Sequence, residues 1–91
     1  MIIISYDIKN SKKRSRFAKY IKKFGHRLQY SVYMIDNGER VLNNIITDIR
    51  NVWEKEFDQS DSVYIFHMSA SCRVEKYGYA SNEDLDLLIA D

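Results

Sequence analysis

Two short segments place apolar residues on consecutive positions instead of alternating ones. The first runs from Ile2 to Tyr6 and is rich in isoleucine, and the second runs from Val63 to Met68. A strand with one buried face would alternate apolar and polar residues. Both segments therefore predict strands that are covered on both faces of a sheet.

Two longer segments repeat their apolar residues at helical spacing. The first begins at Asn10 or Ser11, either of which can cap a helix, and runs to about Phe24, where Gly25 provides a stop. The second runs from 39 to about 57, after the break at Asn-Gly. The predicted apolar stripes are Phe17, Tyr20, Ile21 and Phe24 in the first helix, and Val41, Leu42, Ile45, Ile46, Ile49, Val52 and Trp53 in the second.

Strand-forming residues fill the stretch from Arg27 to Asp36, which is long for one strand in a chain of this size. The sequence predicts either a bent strand or a tight hairpin near Tyr30 and Ser31, without deciding between them. Another short strand is predicted from 72 to 77. The last ten residues fit a strand and a helix equally well.

The order of these elements predicts an α+β domain of the ferredoxin-like βαββαβ type, with both helices on one face of an antiparallel sheet. We place this domain at 1–78 and a tail at 79–91. Two helices cover one face, yet the first and fourth strands are apolar on both. The open face needs a partner, and a second copy of the chain is the simplest one. We therefore predict a homodimer, with 72–77 helping to join the protomers.

Length and composition narrow the class of protein. Ninety-one residues with 45% hydrophobic and 13% aromatic content predict one packed domain. The apolar start is too short to span a membrane and lacks the basic region of a signal peptide. Cys72 is the one cysteine, so no intrachain disulfide can form. These features predict a cytoplasmic protein without a membrane anchor.

Positive charge is concentrated in one part of the chain. Residues 8–35 hold nine of the fourteen Lys and Arg residues and no Asp or Glu. A solvated helix face usually mixes both signs, whereas clustered cations repel one another unless phosphates neutralise them. We predict sequence-independent contacts to a nucleic-acid backbone. The predicted contact residues are Lys9, Lys12, Lys13, Arg14, Arg16, Lys19, Lys23 and Arg27.

Other reactive side chains have simpler structural explanations. His26 and His67 could act as general bases, but a helix-end residue and a core or interface histidine are the better interpretations. Most tyrosines fall in predicted strands, where packing explains them. Ser31 has no identifiable base, and the sequence contains neither a glycine-rich phosphate loop nor zinc-ligand spacing.

Several motifs together resemble one known family. Ile4-Ser5-Tyr6-Asp7-Ile8, the basic helix with Lys13-Arg14, then Gly25 and Gln29-Tyr30-Ser31-Val32-Tyr33 follow one another as in the small CRISPR-associated endoribonucleases. The resemblance covers about 1–77. Tyr33 is a departure, because phenylalanine is common at that position.

The resemblance implies a ferredoxin-like homodimer that works in CRISPR adaptation. Such dimers sit between integrase dimers and hold the duplex DNA that becomes a new spacer, and some members are assigned magnesium-dependent cleavage of single-stranded RNA or duplex DNA. It implies that Asp7 is the catalytic and metal-binding carboxylate. Magnesium, or manganese, would be shared between the two copies of Asp7, since one carboxylate per chain provides few ligands for the ion. From the residues alone, Asp7 could instead hold the turn that follows the strand.

The tail combines four acids with four large apolar residues and no base. We predict a docking segment, whose partner by resemblance is the CRISPR integrase subunit. The alternative is an edge strand packed on its own dimer. The predicted docking residues are Leu85, Leu87, Leu88 and Ile89.

Three functions remain open on this basis. The first is a DNA-binding subunit of a spacer-integration complex, and the second is a metal-dependent endonuclease built on Asp7. The third is a toxin-like RNA interferase or a ferredoxin-like regulatory dimer.

Overall fold

A computed structural model of the chain describes residues 1–36, 38–68 and 73–78. The predictions for the tail and for Cys72 lie outside these residues. The elements in chain order are β1 (Ile2–Asp7), α1 (Ser11–Ile21), β2 (Gly25–Gln29), β3 (Val32–Ile35), α2 (Glu39–Asp48), a π-helical turn (Ile49–Trp53), α3 (Glu54–Glu56), β4 (Ser62–His67) and β5 (Arg73–Gly78). The fold is α+β, as predicted, and is compatible with the ferredoxin-like arrangement.

Five strands of the described residues form one antiparallel sheet in the order β2-β3-β1-β4-β5. β1 lies in the centre and pairs with β3 on one side and with β4 on the other, where Asp7 is opposite Ser62. β2 and β3 form a hairpin through a turn at Tyr30 and Ser31, and Ser31 has a φ of 65°. Of the two alternatives that the sequence left open, the structure therefore has the tight hairpin and not the bent strand.

β5 pairs with β4 of its own chain along its whole length, from Ser62 opposite Gly78 to His67 opposite Arg73. We expected this segment to help join protomers. In the single chain its inner edge is already used, because the antiparallel ladder to β4 satisfies those backbone groups. A contribution to a dimer would therefore come from its outer edge or from its side chains.

The first helix ends earlier than predicted. α1 stops at Ile21, and a turn of three residues leads into β2, which begins at Gly25. Gly25 is therefore not a helix stop. A side chain there would collide with the carbonyl of Met34, so the close approach of β3 requires glycine. The start of α1 agrees with the prediction, because Asn10 Oδ1 accepts a hydrogen bond of 2.9 Å from the backbone N–H of Lys13.

The hydrophobic core lies between the helices and one face of the sheet. Phe17 is fully buried, and its ring meets the rings of Tyr6 and Trp53 edge-on, each at a centroid distance of 5.1 Å. This aromatic contact joins β1, α1 and the π-helical turn. The other buried core residues are Ile4, Ile8, Ile21, Tyr33, Ile35, Leu42, Ile45, Ile49, Phe57, Val63 and Ile65.

The opposite face of the sheet is also largely apolar. On β4, Tyr64 and Phe66 alternate with core residues and are only 6% exposed, so this strand is covered on both faces as predicted. Along β1 and β3 the same face carries half-buried Ile3, Val32 and Met34. Asp7 lies on this face too, two positions beyond Ser5 in the alternation of β1. The described part of the chain contains no helix long and apolar enough to cross a membrane.

Candidate nucleic-acid interface

Asp7 ends the central strand with its carboxylate open to solvent. Its side chain is 48% exposed, and Lys9 Nζ lies 3.2 Å from Oδ1. Among the described residues, Lys9 is the one that contacts the Asp7 carboxylate, and this carboxylate accepts no backbone hydrogen bond from them. Asp7 therefore does not hold the turn after β1, which was the structural alternative. Its oxygens remain accessible to a ligand that can compete with Lys9.

Asp61 holds that turn instead. Its carboxylate is completely buried, and it accepts the backbone N–H of Lys9 at 3.0 Å and that of Asp58 at 2.9 Å. The sequence predictions did not single out this aspartate. Aspartate side chains commonly accept backbone hydrogen bonds in turns, which was the available signal. Its distant partner Lys9 could not be read from the sequence.

Arg14 fixes the same loop from the helix side. Its Nη1 donates to the backbone carbonyls of Ile8, at 3.1 Å, and Lys9, at 3.2 Å. Ile8 itself is buried in the core. The loop is thus held by a carboxylate on its N–H side and a guanidinium on its C=O side. This arrangement gives Asp7 a defined position without using its own side chain.

The predicted basic residues of α1 fall into two groups. Lys13 lies near Asp58, at 3.9 Å, and Arg16 pairs with Glu56 and stacks over Trp53 at 5.7 Å. Together with Arg14 these cations face the body of the protein. By contrast, exposed cations without an acidic partner among the described residues follow the outer side of α1 and the turn after it. They are Lys12, Lys19, Lys22 and Lys23.

A shallow groove of about 220 Å³ separates α1 from the β2–β3 hairpin. Arg27 and Tyr30 form one wall, with the guanidinium 5.7 Å from the centre of the exposed Tyr30 ring. Tyr6 lies at its base. Burial, and next the charge interaction with Tyr33, raises the pKa of Tyr6 to about 12, so its hydroxyl stays protonated at neutral pH. The groove therefore presents a cation and hydrogen-bond donors close to the free lysines of α1.

Each histidine lies close to a carboxylate, so neither is an isolated general base at this interface. His26 is in β2 rather than at a helix end, and its Nδ1 is 2.9 Å from Asp36. His67 lies at the end of β4 that is remote from Asp7, and its Nε2 is 2.6 Å from Glu75 Oε1. Among the described residues no three His, Cys, Asp or Glu side chains form a group that could hold a metal ion. A metal at Asp7 would therefore need ligands in addition to the described side chains of one chain.

Comparison with known proteins identifies relatives of this chain. Residues 1–76 match the family described as CRISPR associated protein Cas2. The chain is also similar to the protein named CRISPR-associated endoribonuclease Cas2 3 of Synechocystis sp., with 28% identity over 58 residues. That match covers 64% of this chain and 63% of the relative, which is less than two thirds of the relative's length. No solved structure matches the chain significantly. The family match confirms the resemblance indicated by the motifs.

The role of Asp61 leads to a stability prediction. In Asp61→Ala the N–H groups of Lys9 and Asp58 lose their acceptor, and each unsatisfied group costs about 1–3 kcal/mol. We expect urea denaturation to show a loss of at least ~2 kcal/mol, with shifted amide resonances at 7–9. The control Asp58→Ala removes an exposed carboxylate and should change stability by no more than about 0.5 kcal/mol. Equal losses of stability in the two variants would contradict this role of Asp61 in holding the loop after β1.

Proposed function

The chain belongs to the CRISPR associated protein Cas2 family, and on that premise we propose that it acts in CRISPR adaptation as a dimeric subunit that binds duplex DNA through α1. The observation that carries the proposal is the row of cations on the outer side of this helix that have no acidic partner among the described residues. Lys12 and Lys19 are seven residues apart, so they lie on one face, about 10 Å apart along the helix axis. Lys22 and Lys23 extend the positive surface into the following turn.

The free lysines favour backbone contacts over base recognition. Lysine is a flexible point charge, whereas reading a base edge requires a side chain fixed in a groove. The two arginines of α1 that could provide rigid, forked contacts are engaged: Arg14 with the loop carbonyls and Arg16 with Glu56. Binding would therefore depend on charge and be independent of DNA sequence.

We also propose that two copies pair through the sheet face opposite the helices. Half-buried Ile3, Val32 and Met34 form the apolar part of this face, and Asp7 lies at its end. A twofold arrangement of this face would bring two Asp7 carboxylates towards each other. The further partner we propose is the CRISPR integrase subunit, bound through the segment that contains Leu85, Leu87, Leu88 and Ile89.

A nuclease activity is the second candidate function, and the exposure of Asp7 favours it. A bound magnesium or manganese ion would supply polarisation of a phosphate and activation of water. Asp7 would be its ligand in each chain, and the clamp from Asp61 and Arg14 would keep that carboxylate in place. Lys9 neutralises Asp7 until a cation of higher charge replaces it. The name of the Synechocystis relative points to RNA as the substrate class to test alongside DNA.

The DNA-binding proposal predicts a reduced salt dependence in a double variant. Lys12→Gln/Lys19→Gln should weaken binding to unrelated duplexes equally and reduce the slope of log K against log salt by roughly 1.8, or about 0.9 per lost phosphate contact. Fluorescence anisotropy over a salt series measures this slope. The matched control, Arg40→Gln/Lys55→Gln, removes the same charge from exposed positions on other helices and should leave the slope nearly unchanged. If both double variants had the same salt slope, the DNA-binding surface would not be on α1.

The nuclease proposal predicts a strict need for the Asp7 charge. Asp7→Asn keeps the size of the side chain but cannot hold a hard cation, so cleavage of RNA or DNA should fall at least roughly a hundredfold. Chelation should abolish the wild-type activity, and added magnesium or manganese should restore it. The control Asp36→Asn removes an exposed carboxylate that pairs with His26 and should cleave normally. Undiminished cleavage by Asp7→Asn would exclude this carboxylate as the metal ligand.

The dimer proposal is tested by two matched substitutions. Val32→Glu introduces a charge into the apolar sheet face and should convert the dimer into a monomer in light scattering. Val52→Glu makes the same chemical change at a residue that is 50% exposed on the π-helical turn, and it should remain dimeric. Thermal melts identify any loss of folding. A monomeric wild-type protein at micromolar concentration would contradict the proposal.

A further inference from the structure

A second groove lies at the other edge of the sheet, away from the α1 cations and from Asp7. It has a volume of about 430 Å³ and lies between α2, the π-helical turn and the pair β4–β5. A volume of this size is in the range of small-molecule sites and is sufficient for a mononucleotide. Nothing in the proposed DNA contact or nuclease site uses it.

Two arginines on opposite walls of this groove have hydrogen-bond donors that none of the described residues uses. Arg50 comes from the π-helical turn and makes one long hydrogen bond of 3.5 Å to the hydroxyl of Tyr77, whose ring it covers at 5.5 Å. Arg73 comes from β5 and is 69% exposed, and its contacts to His67 are 3.4 Å or longer. A guanidinium has five N–H donors, so most of these donors are available to a ligand.

The acid beside these arginines is already satisfied within the protein. Glu75 Oε1 is 2.6 Å from His67 Nε2, and Oε2 accepts the hydroxyl of Tyr77 at 2.9 Å. Burial alone would raise the pKa of Glu75, but these hydrogen bonds lower it below its ordinary value. Its charge is therefore directed at His67 and Tyr77, while Arg73 is held only loosely, at 3.7 Å. The acid does not occupy the donors of the arginines.

The rest of the lining suits the organic part of a phosphate ester. Leu42 and Ile46 provide an apolar surface, and Asn43 and Thr47 add an amide and a hydroxyl. Arg50 follows Ile46 and Thr47 at helical spacing and belongs to the π-helical turn Ile49–Trp53, a geometry that often accompanies functional sites. Apolar contact combined with a few converging polar groups is the usual composition of a ligand site.

We propose that this groove binds a phosphate ester, with Arg50 and Arg73 on the phosphate and with the α2 side chains against the sugar or base. Guanidinium groups hold phosphate through paired charge-assisted hydrogen bonds, and here one comes from each wall. The ester can belong to a free nucleotide or to the backbone of a nucleic acid. Both present the same chemistry to the groove.

The test uses adenosine 5′-monophosphate and the diester adenylyl-adenosine, with adenosine as the uncharged probe. Binding is followed by amide shifts of Asn43, Thr47 and Glu75 in NMR titrations of the full chain. We expect both phosphate esters, or one of them, to bind at millimolar concentration or tighter, and adenosine at least roughly tenfold more weakly. Binding of the monophosphate alone identifies a free nucleotide as the source, and binding of the diester identifies a nucleic-acid backbone.

Matched variants assign the contact to the arginines. Arg50→Gln/Arg73→Gln should lose at least roughly tenfold in affinity for the bound ester, whereas Arg40→Gln on the same helix should not. Lys12→Gln/Lys19→Gln should retain the groove affinity, which separates this site from the DNA surface. No shift with either ester, or equal binding to wild type and the arginine variant, would overturn the proposal.

Discussion

The structure around the candidate site depends on one buried carboxylate. Asp61 is fully buried between β4 and the loop after β1, and both of its oxygens accept backbone hydrogen bonds. A buried carboxylate without such partners is costly, so Lys9 and Asp58 are stabilised in these positions. These hydrogen bonds hold the loop that follows β1. The position of Asp7 follows from them.

The same constraint explains how a strongly basic helix is tolerated. Cations at the start of α1 are placed near the C-terminal end of the second helix, where Arg16 pairs with Glu56 and Lys13 lies near Asp58. These contacts relieve part of the repulsion within α1 and dock the helices together. The cations that remain lie on the outer side, where no acid of the described residues reaches them. One helix therefore serves both packing and binding.

The two edges of the sheet offer different chemistry. The β2–β3 edge carries Arg27 and Tyr30 beside a shallow groove whose other wall is α1, the helix that carries Lys12 and Lys19. The β4–β5 edge carries a connected set in which Glu75 joins His67 to Tyr77 and leaves the arginines loosely bound. The first suits an extended, charged polymer. The second suits a compact ligand, because apolar and polar groups converge on one volume.

The local sequence pattern determined the helices and strands of this protein, whereas contacts between distant residues determined the role of individual side chains. The consecutive apolar residues of β1 and β4, most of the helical stripes and the Asn10 cap follow from short-range sterics and hydrogen bonding, so they were predictable. The stripe prediction was wrong for Val52, which is 50% exposed, and for Phe24, which lies after the end of α1. The role of Gly25 was misread, because its reason is the approach of Met34 from another strand. Which cations are free could not be read either. Lys13 and Arg16 find the acids Asp58 and Glu56 at least 40 residues away, and the proximity of Lys9 to Asp61 spans 52 residues. Such pairs form only when the helices pack against the sheet, so the sequence alone determined a basic surface and the tertiary structure decided which of its charges face outward.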